Sequence, residues 1–260
     1  MNGMDEALDV VKVWEDLSGI PADPPEMRNI CNRCDRPSVV CWCPYLPATP
    51  LKTRCRLIVL QHPAEERRCL RTVPMLVQSL EPGSCLIFKG KKFPSNRHEN
   101  LAKILESEDS LLLYPSKEAK DISDVVVDDY RRPQNLIVID GTWDQARSMY
   151  YNSPMLKDLK QVRLSLDAVS EYVIRTQPNE GCLSTLEAAA WALSIIENRP
   201  SMRAELLGPL HALCSFQLHH GAVSHQSKQF LVQLDAYTKP VGKRTRKLLR
   251  QSVPLTSGES

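Results

Sequence analysis

The stretch Leu136-Ile-Val-Ile-Asp-Gly-Thr-Trp-Asp-Gln-Ala-Arg-Ser-Met-Tyr-Tyr151 decides the fold. It opens with four apolar residues, Leu136 to Ile139, three of them β-branched. Such a run suits a strand covered on both faces. Asp140 stands where the strand should end. Gly141 permits a tight turn that a Cβ would obstruct. Thr142, with Gln145 three residues later, fits the capping box that opens a helix. An acid, a glycine, a hydroxyl and the large aromatic Trp143 therefore share one strand-to-helix turn. In open α/β sheets ligands bind at the carboxyl ends of strands. An ordinary turn with a capping Thr and a packing Trp reads the same way locally, so the rest of the chain must discriminate.

Outward from this stretch the chain shows an α/β rhythm. Arg56 to Leu60, Ser84 to Phe88 and Ser110 to Tyr114 read as strands, and Gln161 to Leu166 alternates as a more exposed one. Residues 70–80, with Pro74 complicating the first turns, and 97–106 read as helices between them. Residues 151–160 read as a loop. Ser184-Thr-Leu-Glu187 is a second capping box, opening a helix over 186–197 that ends at Asn198-Arg-Pro200. Two more helical segments follow within 202–234. Strands separated by helices imply parallel pairing, hence an α/β fold with a doubly wound, mostly parallel sheet.

Upstream, Cys31-x2-Cys34 and Cys41-x-Cys43 place four thiols within 13 residues. Four thiolates can surround one tetrahedral zinc, leaving no open position, which makes such a site structural. Two reduced pairs, or a redox pair, are the alternative. The expected organisation is a lead-in over 1–28, a small N-terminal four-cysteine zinc module over 29–50, a main catalytic domain over 51–236, and a basic tail over 237–260. That tail, Lys239 to Arg250, is either a solvated end or a phosphate contact.

Composition narrows the function classes. The net charge is +2 over 260 residues, so nucleic-acid affinity must come from local patches. No run of 18 apolar residues occurs, so no membrane span is expected. The acidic N-terminus lacks the features of a signal peptide, and an intracellular protein, cytoplasmic or nuclear, is expected. No feature calls for an obligate protein partner. Neither a GxGxxG nor a Walker A sequence is present.

Three expected strand ends carry unusual residues: His62, Pro63 and Glu65 with Arg67 and Arg68 behind them; Tyr114 and Pro115; and Asp140, Thr142 and Trp143. Parallel strands would bring these ends to one edge. The helix starts at Thr142 and Ser184 offer unpaired N–H groups to a carboxylate or phosphate.

Asp140-Gly-Thr-Trp143 with Gln145-Ala146 resembles the motif that names the DTW-domain family. The likeness extends to the four cysteines, Gln61-His-Pro-Ala-Glu65, Leu113-Tyr-Pro115, Tyr172-x-x-Arg175 and Cys182-Leu-Ser-Thr-Leu-Glu-Ala188. Ser116 departs from a glycine in the pattern, and Arg147-Ser-Met from a lysine-containing stretch; neither touches the main motif. The resemblance implies a SPOUT-like, knotted fold. It implies transfer of the 3-amino-3-carboxypropyl group of S-adenosyl-L-methionine to N3 of a tRNA uridine, releasing methylthioadenosine. On that reading Asp140 is the first candidate for general base and Glu65 the second. Tyr114, Pro115, Asp140, Gly141, Thr142, Trp143, Ser184, Thr185 and Glu187 are expected around the methionine donor. Trp143 either stacks on a base or packs in the core. His62, Arg67, Arg175, Lys243, Arg244 and Arg246 are expected to meet the RNA. A SPOUT methyltransferase and a non-catalytic zinc-containing RNA-binding module are the competing readings.

Overall fold

A computed structural model describes residues 28–128, 133–165, 169–176, 182–234 and 236–237, with isolated positions between 12 and 19. The tail residues Lys243, Arg244 and Arg246 lie outside the described residues. The chain divides into two compact units, Met1–Val39 and Val40–Ser260.

In the first unit, Ile30 and Pro37 form an isolated antiparallel bridge around a short turn. Asp35 closes that turn with a φ of 56°. Asp tolerates this left-handed region better than most residues. Its N–H donates to the Cys31 carbonyl at 2.9 Å.

The second unit is built on six strands: β1 (Arg56–Gln61), β2 (Cys85–Lys89), β3 (Ser110–Leu113), β4 (Lys120–Asp121), β5 (Asn135–Asp140) and β6 (Lys160–Arg163). They pair in the order β2-β1-β5-β3-β6-β4, and each pairing is parallel. The described helices are α1 (Val73–Ser79), α2 (Leu101–Leu105), α3 (Ile122–Asp128), α4 (Trp143–Tyr151), α5 (Pro154–Asp158), α6 (Thr185–Ile196), α7 (Ser201–His219) and α8 (Lys228–Gln233).

The apolar runs of β1 and β5 are buried on both faces because helices cover both. Ile58, Leu60, Leu112 and Ile137 point one way, into a core completed by α2, α4 and α5. Leu57, Val59, Leu136 and Val138 point the other way and are equally buried. The helix α6 packs against β5 together with α1, α3 and α7. This is the α/β arrangement expected from the sequence.

Local details differ from expectation. Pro74 does not interrupt α1, because it stands in the first turn, where its missing N–H has no partner to lose. The stretch read as a loop contains α5, opened in the same way by Pro154. The strand β6 is more exposed than β1 and β5, as expected, with Val162 its one fully buried residue; it is shorter than the stretch read as a strand and lies between β3 and the two-residue β4.

The topology fixes where chemistry can occur. From β1 the chain steps to β2 on one side, and β3 lies on the other, with β5 between β1 and β3. The winding reverses there, and the crevice of such a sheet opens at the carboxyl ends of those strands.

Candidate active site

At the carboxyl end of β5, Asp140 is only 7% exposed. The parallel register sets Gln61, the last residue of β1, opposite Asp140. The Gln61 amide Nε2 donates to Asp140 Oδ2 at 2.9 Å, and the Thr185 hydroxyl donates to Oδ1 at 2.7 Å. The buried carboxylate is thus held on both oxygens by neutral donors, as a buried charge requires. The His62 N–H donates to the Asp140 carbonyl at 2.8 Å and continues the ladder past the strand end. Gln61 was not among the sequence candidates. Its signal was a polar residue closing a buried apolar run at the same sheet edge as Asp140.

Two cavities of about 360 Å³ each open beside this carboxylate. The first is lined by Leu113, Tyr114, Pro115, Val138 and Cys182 among others and is the more apolar. The second is lined by Glu65, Arg71, Asp140, Arg175 and Lys228 among others and is the more polar. Gly141, Trp143, Leu183, Ser184 and Thr185 border both. Three of the expected strand ends therefore meet at one place. Tyr114 stacks on Tyr150 with ring centroids 4.1 Å apart and planes 16° apart. Burial raises the pKa of the Tyr114 phenol, with the neighbouring Tyr151 adding to it. Trp143 is not a core residue: it is 41% exposed and borders both cavities.

Both capping boxes are formed. The Gln145 N–H donates to Thr142 Oγ1 at 3.3 Å, and the Thr142 N–H donates to Gln145 Oε1 at 2.8 Å. At α6 the Glu187 N–H donates to Ser184 Oγ at 3.3 Å, and the Ser184 N–H donates to Glu187 Oε2 at 2.7 Å. Each box uses the cap and third-position N–H groups, so the first two helical N–H groups of α4 and α6 are the ones left for a ligand.

Glu65 lies in a short 3-10 turn, Pro63–Arg67, after β1. His62 caps that turn, its Nδ1 accepting from the Ala64 N–H at 3.2 Å. Desolvation lowers the His62 pKa, with Lys91 and Arg68 nearby, which favours the neutral ring that this bond needs. Glu65 is 7% exposed. Its Oε2 pairs with Arg68 Nε at 3.0 Å, while its buried Oε1 has no hydrogen-bond partner among the described residues. Burial raises the Glu65 pKa; Arg68 and Arg175 oppose the shift and Asp140 reinforces it.

Other candidates are placed differently. Glu187 is turned inward: beyond the Ser184 N–H it accepts from the Glu171 N–H at 2.6 Å and from the Ser170 hydroxyl, and it lines neither cavity. Arg175 lines the polar cavity; His62 and Arg67 line neither. The ligand atoms of Cys31, Cys34, Cys41 and Cys43 all lie within 4.8 Å of one another. Sulfurs around one zinc at about 2.3 Å stand roughly 3.8 Å apart, so this donor set fits a thiolate-bound metal ion.

The DTW domain family matches residues 28–218. A fruit-fly (Drosophila melanogaster) protein named tRNA-uridine aminocarboxypropyltransferase 2 is 52% identical over 92% of this chain and 95% of its own length. A mouse (Mus musculus) protein of the same name is 44% identical over 93% of this chain and 81% of its own. The Arabidopsis thaliana tRNA-uridine aminocarboxypropyltransferase A is 30% identical over 73% of this chain and 81% of its own. No solved structure matches the chain.

Proposed function

The chain belongs to the DTW domain family, and on that premise we propose that it is a tRNA-uridine aminocarboxypropyltransferase. The similarity to enzymes of that name along nearly the whole chain carries the reading. The transferred group comes from S-adenosyl-L-methionine and goes to N3 of a uridine. Bound in the site, the methionine donor supplies a Cγ activated by its positive sulfonium. This chain's residues do the rest.

The apolar cavity suits the donor. Tyr114, Pro115 and Trp143 offer flat surface to its adenine. The free N–H groups at the starts of α4 and α6 suit its carboxylate. The polar cavity, with Arg175, Arg71 and Lys228, suits the nucleotide and its phosphates. Glu65, Asp140 and Asp144 are the acids that line the polar cavity, and Glu65 and Asp140 are the buried ones. Bringing N3 to Cγ rather than to the methyl is a matter of orientation, and positioning supplies most of the acceleration in such a reaction. The four cysteines hold a structural zinc. Insertion of β5 between β1 and β3 supports a SPOUT-like, knotted course of the chain. A tRNA substrate favours work in the cytoplasm or nucleus, and His62, Arg67 and the basic tail with Lys243, Arg244 and Arg246 extend the RNA-facing surface.

The by-product tests this. Incubation with tRNA and S-adenosyl-L-methionine should release methylthioadenosine and add an aminocarboxypropyl mass to a uridine. Release of S-adenosylhomocysteine would instead identify a methyltransferase. Release of neither would leave an RNA-binding protein.

A further inference from the structure

We propose that the polar cavity receives the uracil ring of the target nucleotide and that Glu65, rather than Asp140, accepts the N3 proton. The inference rests on the aminocarboxypropyl-transfer reading and assigns the carboxylates their separate tasks.

The two acids differ in what already holds them. Both oxygens of Asp140 accept from fixed neutral donors, Gln61 at 2.9 Å and Thr185 at 2.7 Å. Each of its oxygens is therefore already engaged before any ligand arrives. Asp140 is thereby suited to tying β1, β5 and α6 together. Glu65, a lining residue of the polar cavity, has one oxygen tied to Arg68 and the other, Oε1, buried with no partner among the described residues. A buried acceptor without a donor is costly, and a ligand that brings a donor removes that cost.

Uracil brings the matching pattern: one N–H donor at N3, flanked by carbonyl acceptors at O2 and O4. Glu65 Oε1 is the acceptor for N3–H, and the cations of Arg71 and Arg175 on the same cavity supply donors for the carbonyls. The burial that raises the Glu65 pKa also strengthens it as a base.

Glu65 takes the N3 proton, and the N3 electron pair forms the bond to Cγ. The Cγ–sulfur bond breaks with its electrons going to sulfur, and neutral methylthioadenosine leaves. Glu65 then returns its proton to solvent.

The test compares E65Q, E65D and D140N on tRNA carrying uridine or 5-fluorouridine, whose N3 proton is more acidic. With uridine, E65Q should lose at least about 100-fold in turnover, the range for removing a general base. The acidic limb of its pH profile should vanish. 5-Fluorouridine should restore E65Q selectively, because the pre-ionised base needs no acceptor, and should leave D140N unrescued. E65D, which keeps an ionisable group, should turn over more slowly with the acidic limb intact. It carries the test should E65Q fail to bind the methionine donor normally by calorimetry. Methylthioadenosine release by E65Q at the wild-type rate, equal rescue of E65Q and D140N, or an E65D profile without an acidic limb would overturn the assignment alone. A wild-type protein that releases no methylthioadenosine would overturn the functional reading and this assignment together.

Discussion

Glu65 is a carboxylic acid placed where ionisation is unfavourable, and this leaves a mark on stability as well as on chemistry. Its folded pKa is raised above the usual 4.5, chiefly by burial. Below 4.5 the folded and unfolded chains both hold the proton, and the stabilising difference is fully present. As pH rises from there through the folded pKa, the unfolded chain releases its proton first and the folded state loses stability. E65Q has no proton to release. Its melting temperature relative to wild type should therefore climb as pH rises from below 4.5 to neutrality, in thermal melts at a series of pH values. A difference that is flat in pH would mean that Glu65 is not strained by burial. Residue identities were legible at this scale, but their reasons were only partly so. Gly141 was read as permitting a turn that a Cβ would obstruct, and it does so without a left-handed φ. The requirement is space: a Cβ would stand 3.1 Å from Gln145 Cβ and 3.5 Å from His62 Cβ. Gln61 was missed because its partner is fixed by strand register, which no local pattern encodes.

Among the elements, both capping boxes were legible because each is written in four consecutive residues and closes on itself. The deeper role of Glu187 was not. By accepting from Glu171 and Ser170 it ties an irregular segment to the start of α6, and that segment is distant from the motif in any reading of periodicity. The two-residue β4 was illegible for a plainer reason: Lys120–Asp121 is too short to show an alternation. The helix α7 provides the test at this scale. A Cβ on Gly208 would stand 2.7 Å from the Tyr45 carbonyl oxygen, where the 3-10 turn Cys43–Tyr45 lies against the helix. Alanine gains up to about 1 kcal/mol in helix propensity. Overpacking against a backbone atom costs about 1–3 kcal/mol. G208A should therefore be destabilised by up to about 2 kcal/mol, seen as a lower urea midpoint at unchanged slope. A stabilised G208A would show that this contact yields freely.

For the whole molecule, the parallel α/β class followed from apolar runs alternating with helical patterns. The strand order did not, because which strands become neighbours depends on long-range packing that spacing cannot reveal. The meeting of three strand ends at one crevice was legible once parallel pairing was assumed; the division of that crevice into two chambers was not. The cysteine cluster was legible from spacing alone, and its four ligand atoms do converge. Strong chelation should release a single zinc from the chain, lower its melting temperature, and be reversed by added zinc. Such ties contribute on the order of 10 kcal/mol in small metal modules. An unchanged melt after complete metal removal would make the cluster dispensable. Trp143 has the widest reach of these features, since one indole forms part of the wall of both chambers. A ligand that reorients it in one chamber reshapes the other. The two occupancies are then thermodynamically linked, and linkage is reciprocal. Whatever factor a bound donor contributes to the grip on tRNA, bound tRNA must return to the grip on the donor.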